Sequence, residues 1–171
     1  REGHVCRVFD LLKLNNVNSV RLRIWNEPDK VPESKGYCSF AYVLEMAHVI
    51  KKYKMHFLLD FHYSDYWADP GQQNKPDAWK NLSFDELKKA VHKYTYDVLY
   101  RLKIMDCAPD MVQIGNEIRS GMLFPDGAVP QYRQLAALVN EGIRAVRELL
   151  PETKVMIHLD QGGRHNCLMP W

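Results

Sequence analysis

Apolar residues along this chain switch repeatedly between two spacings. Asn18 to Trp25 (NSVRLRIW), Met55 to His62 (MHFLLDFH), Val112 to Glu117 (VQIGNE) and Lys154 to Asp160 (KVMIHLD) are short, alternating or apolar runs, which predict strands. Between them Phe40, Val43, Leu44, Ala47 and Ile50 recur at helical spacing. So do Leu87, Val91, Tyr94, Val98 and Leu102, and then Leu135, Leu138, Val139, Ile143, Val146 and Leu149. Val8, Leu11 and Leu12 read as the tail of a helix within residues 1–16. Ser83 and Glu86 have the spacing of a capping box, and Pro151 ends the last helix. In the strands, Val20, Leu22 and Ile24 oppose Arg21, Arg23 and Trp25, and Phe57, Leu59 and Phe61 oppose Leu58, Asp60 and His62. In the third, Gln113, Gly115 and Glu117 oppose Val112, Ile114 and Asn116.

The order, a helix tail and then β-α-β-α-β-α-β, implies a parallel sheet in an α/β fold. Connections from helix to strand are short. Those from strand to helix are long and carry aromatics, acids and amides. That asymmetry is expected when the C-terminal ends of all strands open onto one working face, as in a (β/α)8 barrel. A doubly wound sheet is the alternative, but no strand leads into a Gly-rich phosphate loop, and Gly162-Gly163 is too weak to count as one. Four strands are half of what closes a barrel of about 250 residues. The expectation is therefore one partial barrel domain over residues 1–171, an incomplete barrel with two unpaired sheet edges.

Composition narrows the partners. The 171 residues are 46% hydrophobic and the formal net charge is +2, which suits a neutral substrate better than nucleic acid or an anionic membrane. No apolar run approaches a membrane span of about 20 residues. The chain starts on Arg1 and shows no signal peptide. Cys6, Cys38, Cys107 and Cys167 lie far apart without a C-x-x-C, and are expected to be free thiols.

Polar groups collect where the four strands end: Arg21, Arg23, Trp25 and Asn26; Asp60, His62, Tyr63, Asp65 and Trp67; Asn116, Glu117 and Arg119; His158, Asp160 and Gln161. Each has an ordinary structural reading. Asn116 and Glu117 suit a helix start, Asp65 suits a turn, and either histidine suits a satisfied core position. Four strands ending alike favour a shared cleft. A carboxylate at the end of a buried strand is costly unless it is bonded or functional. Asp60, His62 and Asp65 are close enough in sequence to suggest a metal site, but no third ligand has diagnostic spacing, and Tyr63, Tyr66 and Trp67 suit sugar stacking better. No G-x-S-x-G marks a serine hydrolase. No metal or cofactor is expected.

Four blocks, VNSVRLRIWNEP (17–28), LLDFHYSDYWADPGQQNKPDAW (58–79), VQIGNEIRSGML (112–123) and KVMIHLD (154–160), make the chain resemble glycoside hydrolase family 53, the arabinogalactan endo-β-1,4-galactanases. The resemblance implies strands two to five of a (β/α)8 barrel in a retaining, endo-acting galactanase. It implies Glu117 as general acid/base, Asn116 as the residue holding the sugar 2-hydroxyl, and Arg21 as the arginine bonding the nucleophile, with Arg23 beside it. It further implies that Asp60, His62, Asp65 and Trp67 line the sugar subsites. The family's nucleophilic glutamate follows strand seven and has no counterpart here, so this chain alone is expected to be inactive, with the missing strands supplied by the rest of a parent chain. The implied substrate is β-1,4-galactan and the implied location secreted or cell-surface. The alternatives are another retaining barrel glycosidase (mannanase, xylanase or cellulase) and a non-catalytic sugar-binding fragment.

Overall fold

The computed structural model describes residues 7–163. Helix α1 (Val8–Leu14) precedes strand β1 (Ser19–Ile24), helix α2 (Phe40–Lys52) and strand β2 (His56–Phe61). Helix α3 (Phe84–Ile104), strand β3 (Met111–Ile114), a hairpin of β4 (Gly121–Met122) and β5 (Gly127–Ala128), helix α4 (Tyr132–Leu149) and strand β6 (Lys154–Met156) complete it. Strands β1, β2, β3 and β6 form one sheet in that order, every pair parallel. The alternation read from the sequence holds: Phe57, Leu59, Phe61, Val112 and Ile114 are fully buried with the apolar faces of α2, α3 and α4. Arg21 and Arg23, on the other face of β1, stay exposed.

Ser83 opens α3 with a complete capping box. Its hydroxyl accepts from the Glu86 amide while the Glu86 carboxylate accepts from the Ser83 amide. Two of the four amides that a helix start leaves unpaired are thereby satisfied. Burial of Leu87, Val91, Val98, Leu99 and Leu102 fixes the inner face of α3. Below the sheet, the Asp110 carboxylate accepts from the Phe57 amide at 2.8 Å, tying the start of β3 to β2.

Three features depart from expectation. The strand read over 154–160 is regular only at Lys154–Met156, and the β4–β5 hairpin occupies what reads as loop. Helix α1 begins at Val8, and the first six residues of the predicted helix tail, Cys6 among them, lie outside the described residues, as does Cys167. Cys38 and Cys107 are free thiols.

The connections that leave the strand ends run over residues 25–39, 62–83 and 115–131, and all meet at one end of the sheet. The Asn26 amide donates to Ser64 O at 2.8 Å, the Gln73 side chain reaches Asn116 O, and Ser120 Oγ donates to Pro70 O at 2.5 Å. This loop layer carries the candidate site.

Candidate active site

Strand β3 ends at Ile114, not at Glu117, because Gly115 turns the chain into the left-handed region at φ +81°. A Cβ at Gly115 would also lie 2.6 Å from Ile118 Cγ2, so both conformation and space demand glycine. Glu117 is left-handed as well, at φ 51° and ψ 46°, and leads into a tight turn at Ile118–Ser120. The Ile118 amide donates to His158 O at 3.0 Å and binds that turn to the chain after β6. A glutamate held in this region costs about 1–3 kcal/mol and persists where surrounding contacts enforce it.

The consequence corrects the expected alternation. Gln113 and Asn116, read onto opposite faces, come together, with Gln113 Nε2 3.5 Å from Asn116 Oδ1. Glu117 leaves that network. Its side chain gives the following turn no cap, which removes the helix-start reading. The half-buried carboxylate has no hydrogen bond or ion pair among the described residues.

Both polar side-chain atoms of Asn116 have partners. Its Oδ1 accepts from Arg21 Nη2 at 2.8 Å and faces His158 Nδ1 at 3.0 Å, while its Nδ2 donates to Ala68 O at 2.8 Å. These neighbours fix the amide orientation and leave one Nδ2 hydrogen for a ligand oxygen. Arg21 Nη2 also donates to Asp60 Oδ2 at 2.7 Å. The Ala68 amide donates to His62 Nδ1 at 3.1 Å, so the ring proton sits on Nε2, where it donates to Asp60 Oδ2 at 3.1 Å. Gln113 Nε2 donates to Asp60 Oδ1 at 2.5 Å. A carboxylate 0% exposed is costly unless paired, and Asp60 is held by Arg21, His62 and Gln113 together.

The structure thus joins Arg21, Asp60, His62 and Asn116 in one constellation beside Glu117, and sorts the other candidates. Asp60 and His62 are enclosed and hold the constellation in place instead of facing a cleft. Asp65 stands apart: its two oxygens accept from the Glu27 and Asp77 amides at 3.0 and 2.8 Å, bracing the loops after β1 and β2. That separation dissolves the metal grouping of Asp60, His62 and Asp65, and no other cluster of three such ligands occurs among the described residues. Tyr63 cannot stack on a sugar. It is buried against Phe61 and hydrogen-bonded to Thr95 Oγ1 at 2.8 Å, and burial pushes its phenol well above the usual range. Half-buried Trp67 packs edge-on to His62, with the Arg23 guanidinium 4.7 Å above its ring, so these two form one wall. Trp67 and Asp65 also border a depression of about 450 Å³ shared with Tyr66, Gln72, Lys75 and Phe124. Arg119 pairs with Asp160 at 3.1 Å where the turn after β3 meets the chain after β6.

Two participants escaped the sequence reading, Gln113 and Gln73, both buried. Gln113 had a signal: a polar side chain in the middle of a strand buried on both faces needs a partner. Gln73 lies in an irregular loop and offered none.

A profile described as glycosyl hydrolase family 53 matches residues 1–171. An uncharacterised Niallia circulans protein is 48% identical over 164 residues, covering 91% of this chain and 43% of its own length. Arabinogalactan endo-β-1,4-galactanase A of Emericella nidulans is 39% identical over 159 residues, covering 91% and 44%. Among solved structures, the Ignisphaera aggregans GH53 catalytic domain superposes with a TM-score of 0.85 at 43% identity, covering 90% of this chain and 44% of that one. The chain therefore spans less than half the length of the relatives it matches.

Proposed function

Since the chain belongs to glycosyl hydrolase family 53, we propose that the protein of which it forms part cleaves β-1,4-galactosidic bonds within galactan or arabinogalactan by a retaining double displacement. The observation that carries this reading is the Glu117 carboxylate, unpaired among the described residues and beside an Asn116 amide fixed on Arg21 and Ala68. Glu117 protonates the departing glycosidic oxygen and, in the second step, takes a proton from the attacking water. The free Nδ2 hydrogen of Asn116 is offered to the 2-hydroxyl of the sugar at the reacting carbon. Arg21 holds Asn116 and, with Arg23, keeps positive charge where an attacking carboxylate must be ionised. Trp67 gives a galactose ring an apolar wall.

A retaining enzyme needs a second carboxyl about 5–5.5 Å from the first. Asp60 and Asp160, the acids that lie nearest Asn116 and Arg119, are committed to Arg21 and Arg119, and Asp65 and Asp126 are held by backbone amides and by Lys75. The nucleophile is therefore assigned to the part of the parent that lies outside this chain. We place the parent's action outside the cell, where a polysaccharide too large to cross a membrane is met.

The test is hydrolysis of β-1,4-galactan by the full-length parent, followed by NMR of the first-formed reducing ends. The β anomer should appear first, and Glu117→Gln should slow galactan cleavage by about 10²–10⁴-fold. Initial release of the α anomer, cleavage of mannan or xylan in place of galactan, or an undiminished Glu117→Gln rate would overturn the reading.

A further inference from the structure

Two buried glutamine side chains grip the main chain immediately before Glu117. Gln113 Nε2 donates to Gly115 O at 2.9 Å, and Gln73 Nε2 donates to Asn116 O at 2.8 Å. Those carbonyls belong to the two successive peptide units on either side of Asn116, where the backbone passes from the strand into its left-handed turn. Gln113 is 0% and Gln73 2% exposed, and the Nε2 of each is bonded to protein oxygens.

We propose that Gln113 and Gln73 are paired positioning residues, a clamp that sets the two peptide planes bracketing Asn116 and so aims the Glu117 carboxyl at the glycosidic oxygen. The role rests on the glycosidase reading above. Packing does not account for Gln113: its side chain meets the Asp60 carboxylate and the Gly115 carbonyl, and its own Oε1 is buried without a hydrogen-bond partner among the described residues. An apolar side chain of the same length would leave no such atom. The amide is retained for its Nε2, and its orientation is locked, because a flip would press Oε1 against the Asp60 carboxylate 2.5 Å away. Gln113 thereby ties the buried charge on β2 to the peptide that starts the turn. Gln73 holds the next peptide from the long loop after β2, with Phe124 N donating to Gln73 O at 2.7 Å to anchor that loop. A peptide unit swings easily about its two flanking dihedrals unless its carbonyl is held, and a swing of either unit would displace Glu117 from hydrogen-bond reach of the leaving oxygen.

The experiment compares Gln113→Met and Gln73→Met in the full-length parent on two substrates, galactan and dinitrophenyl β-galactobioside. The dinitrophenolate leaves without a proton, so kcat/KM on it is insensitive to a misplaced acid. The clamp predicts a loss of about 30-fold or more on galactan with less than about threefold on the aryl substrate. Equal losses on both, as a general loss of folded enzyme would give, or no loss on either, would overturn it. Gln73→Met, in a loop, serves should Gln113→Met not fold. If the wild-type parent leaves galactan intact, the galactanase reading falls by itself. The clamp is then decided by the crystal structure of the variants: a rotated Asn116–Glu117 peptide sustains it, and an unmoved one refutes it.

Discussion

At the scale of single residues, two positions show how space and charge decide. Gly142 lies in the middle of α4 where the helix crosses β3. A Cβ there would sit 2.8 Å from Tyr63 Oη and 2.9 Å from Ile114 Cγ2. Helix propensity alone would make Gly142→Ala stabilising by about 1 kcal/mol. Overpacking against a buried strand residue and a buried tyrosine costs about 1–3 kcal/mol. The clash should win, and the variant of the full-length parent should unfold at lower urea concentration than wild type. A midpoint that rises would mean that α4 stands off from β3. Asp110 illustrates charge. Burial would raise its carboxyl, but the Phe57 amide at 2.8 Å and Lys51 at 3.5 Å outweigh it and leave it below the ordinary 3.8. A group lowered by folding adds stability that is complete above its unfolded value and is lost as pH falls below it towards the folded value. Asp110→Asn should therefore flatten the acid limb of the stability profile below about pH 4, by less than about 1 kcal/mol for so exposed a group. Urea midpoints measured from pH 6 down to pH 2.5 would show it, and parallel profiles for variant and wild type would refute it.

At the scale of elements, the sequence was a good guide wherever local chemistry determines structure, and a poor one where two segments meet. Helix α3 is the clear case of the first kind, since Ser83 and Glu86 announce its start and the structure forms both bonds. Ser83→Ala should destabilise the full-length parent by about 1 kcal/mol, within a range of about 0.5–2, read as a lower thermal midpoint. An unchanged midpoint would show that the helix start is held by other contacts. The third strand is the contrary case. Val112 to Glu117 has the alternation of a strand, yet one glycine ends it after Ile114 and brings Asn116 to the side of Gln113. Nothing in a period-two pattern distinguishes a glycine that stays extended from one that turns left-handed. Of the candidate site, Arg21, Asp60, His62 and Asn116 were legible because they sit at strand ends, and the structure brings them together. Asp65 and Tyr63 were legible only as polar or aromatic residues nearby. Their actual work, bracing two loops and filling the core, depends on amides and side chains far away in sequence. The same is true of Gln73, whose partner lies in another loop.

At the scale of the whole molecule, the chain is a four-strand segment of a (β/α)8 barrel domain, as its match to the Ignisphaera aggregans catalytic domain shows. A segment of this kind inherits a layout designed for closure. The outer edges of β1 and β6 pair with no strand among the described residues. Val8, Leu11 and Leu14 on α1 are 69%, 54% and 75% exposed, and Ile157 beyond β6 is 37% exposed, so apolar side chains are open to solvent on the segments next to β1 and β6. Arg21 and Arg23, which would line a closed barrel's interior, are exposed instead. Unpaired parallel edges with apolar side chains open to solvent favour association, and among the described residues the cleft holds Glu117 without the second free carboxylate that retention requires. Two outcomes are expected for the 171-residue chain produced alone. Sedimentation velocity should show dimers or larger species whose proportion rises with concentration, and incubation with β-1,4-galactan should release no reducing ends above a no-protein control. A monomer that turns over galactan and loses that activity on Glu117→Gln would mean that these four strands contain a complete catalytic pair, and the assignment of the nucleophile to the rest of the parent would have to be abandoned.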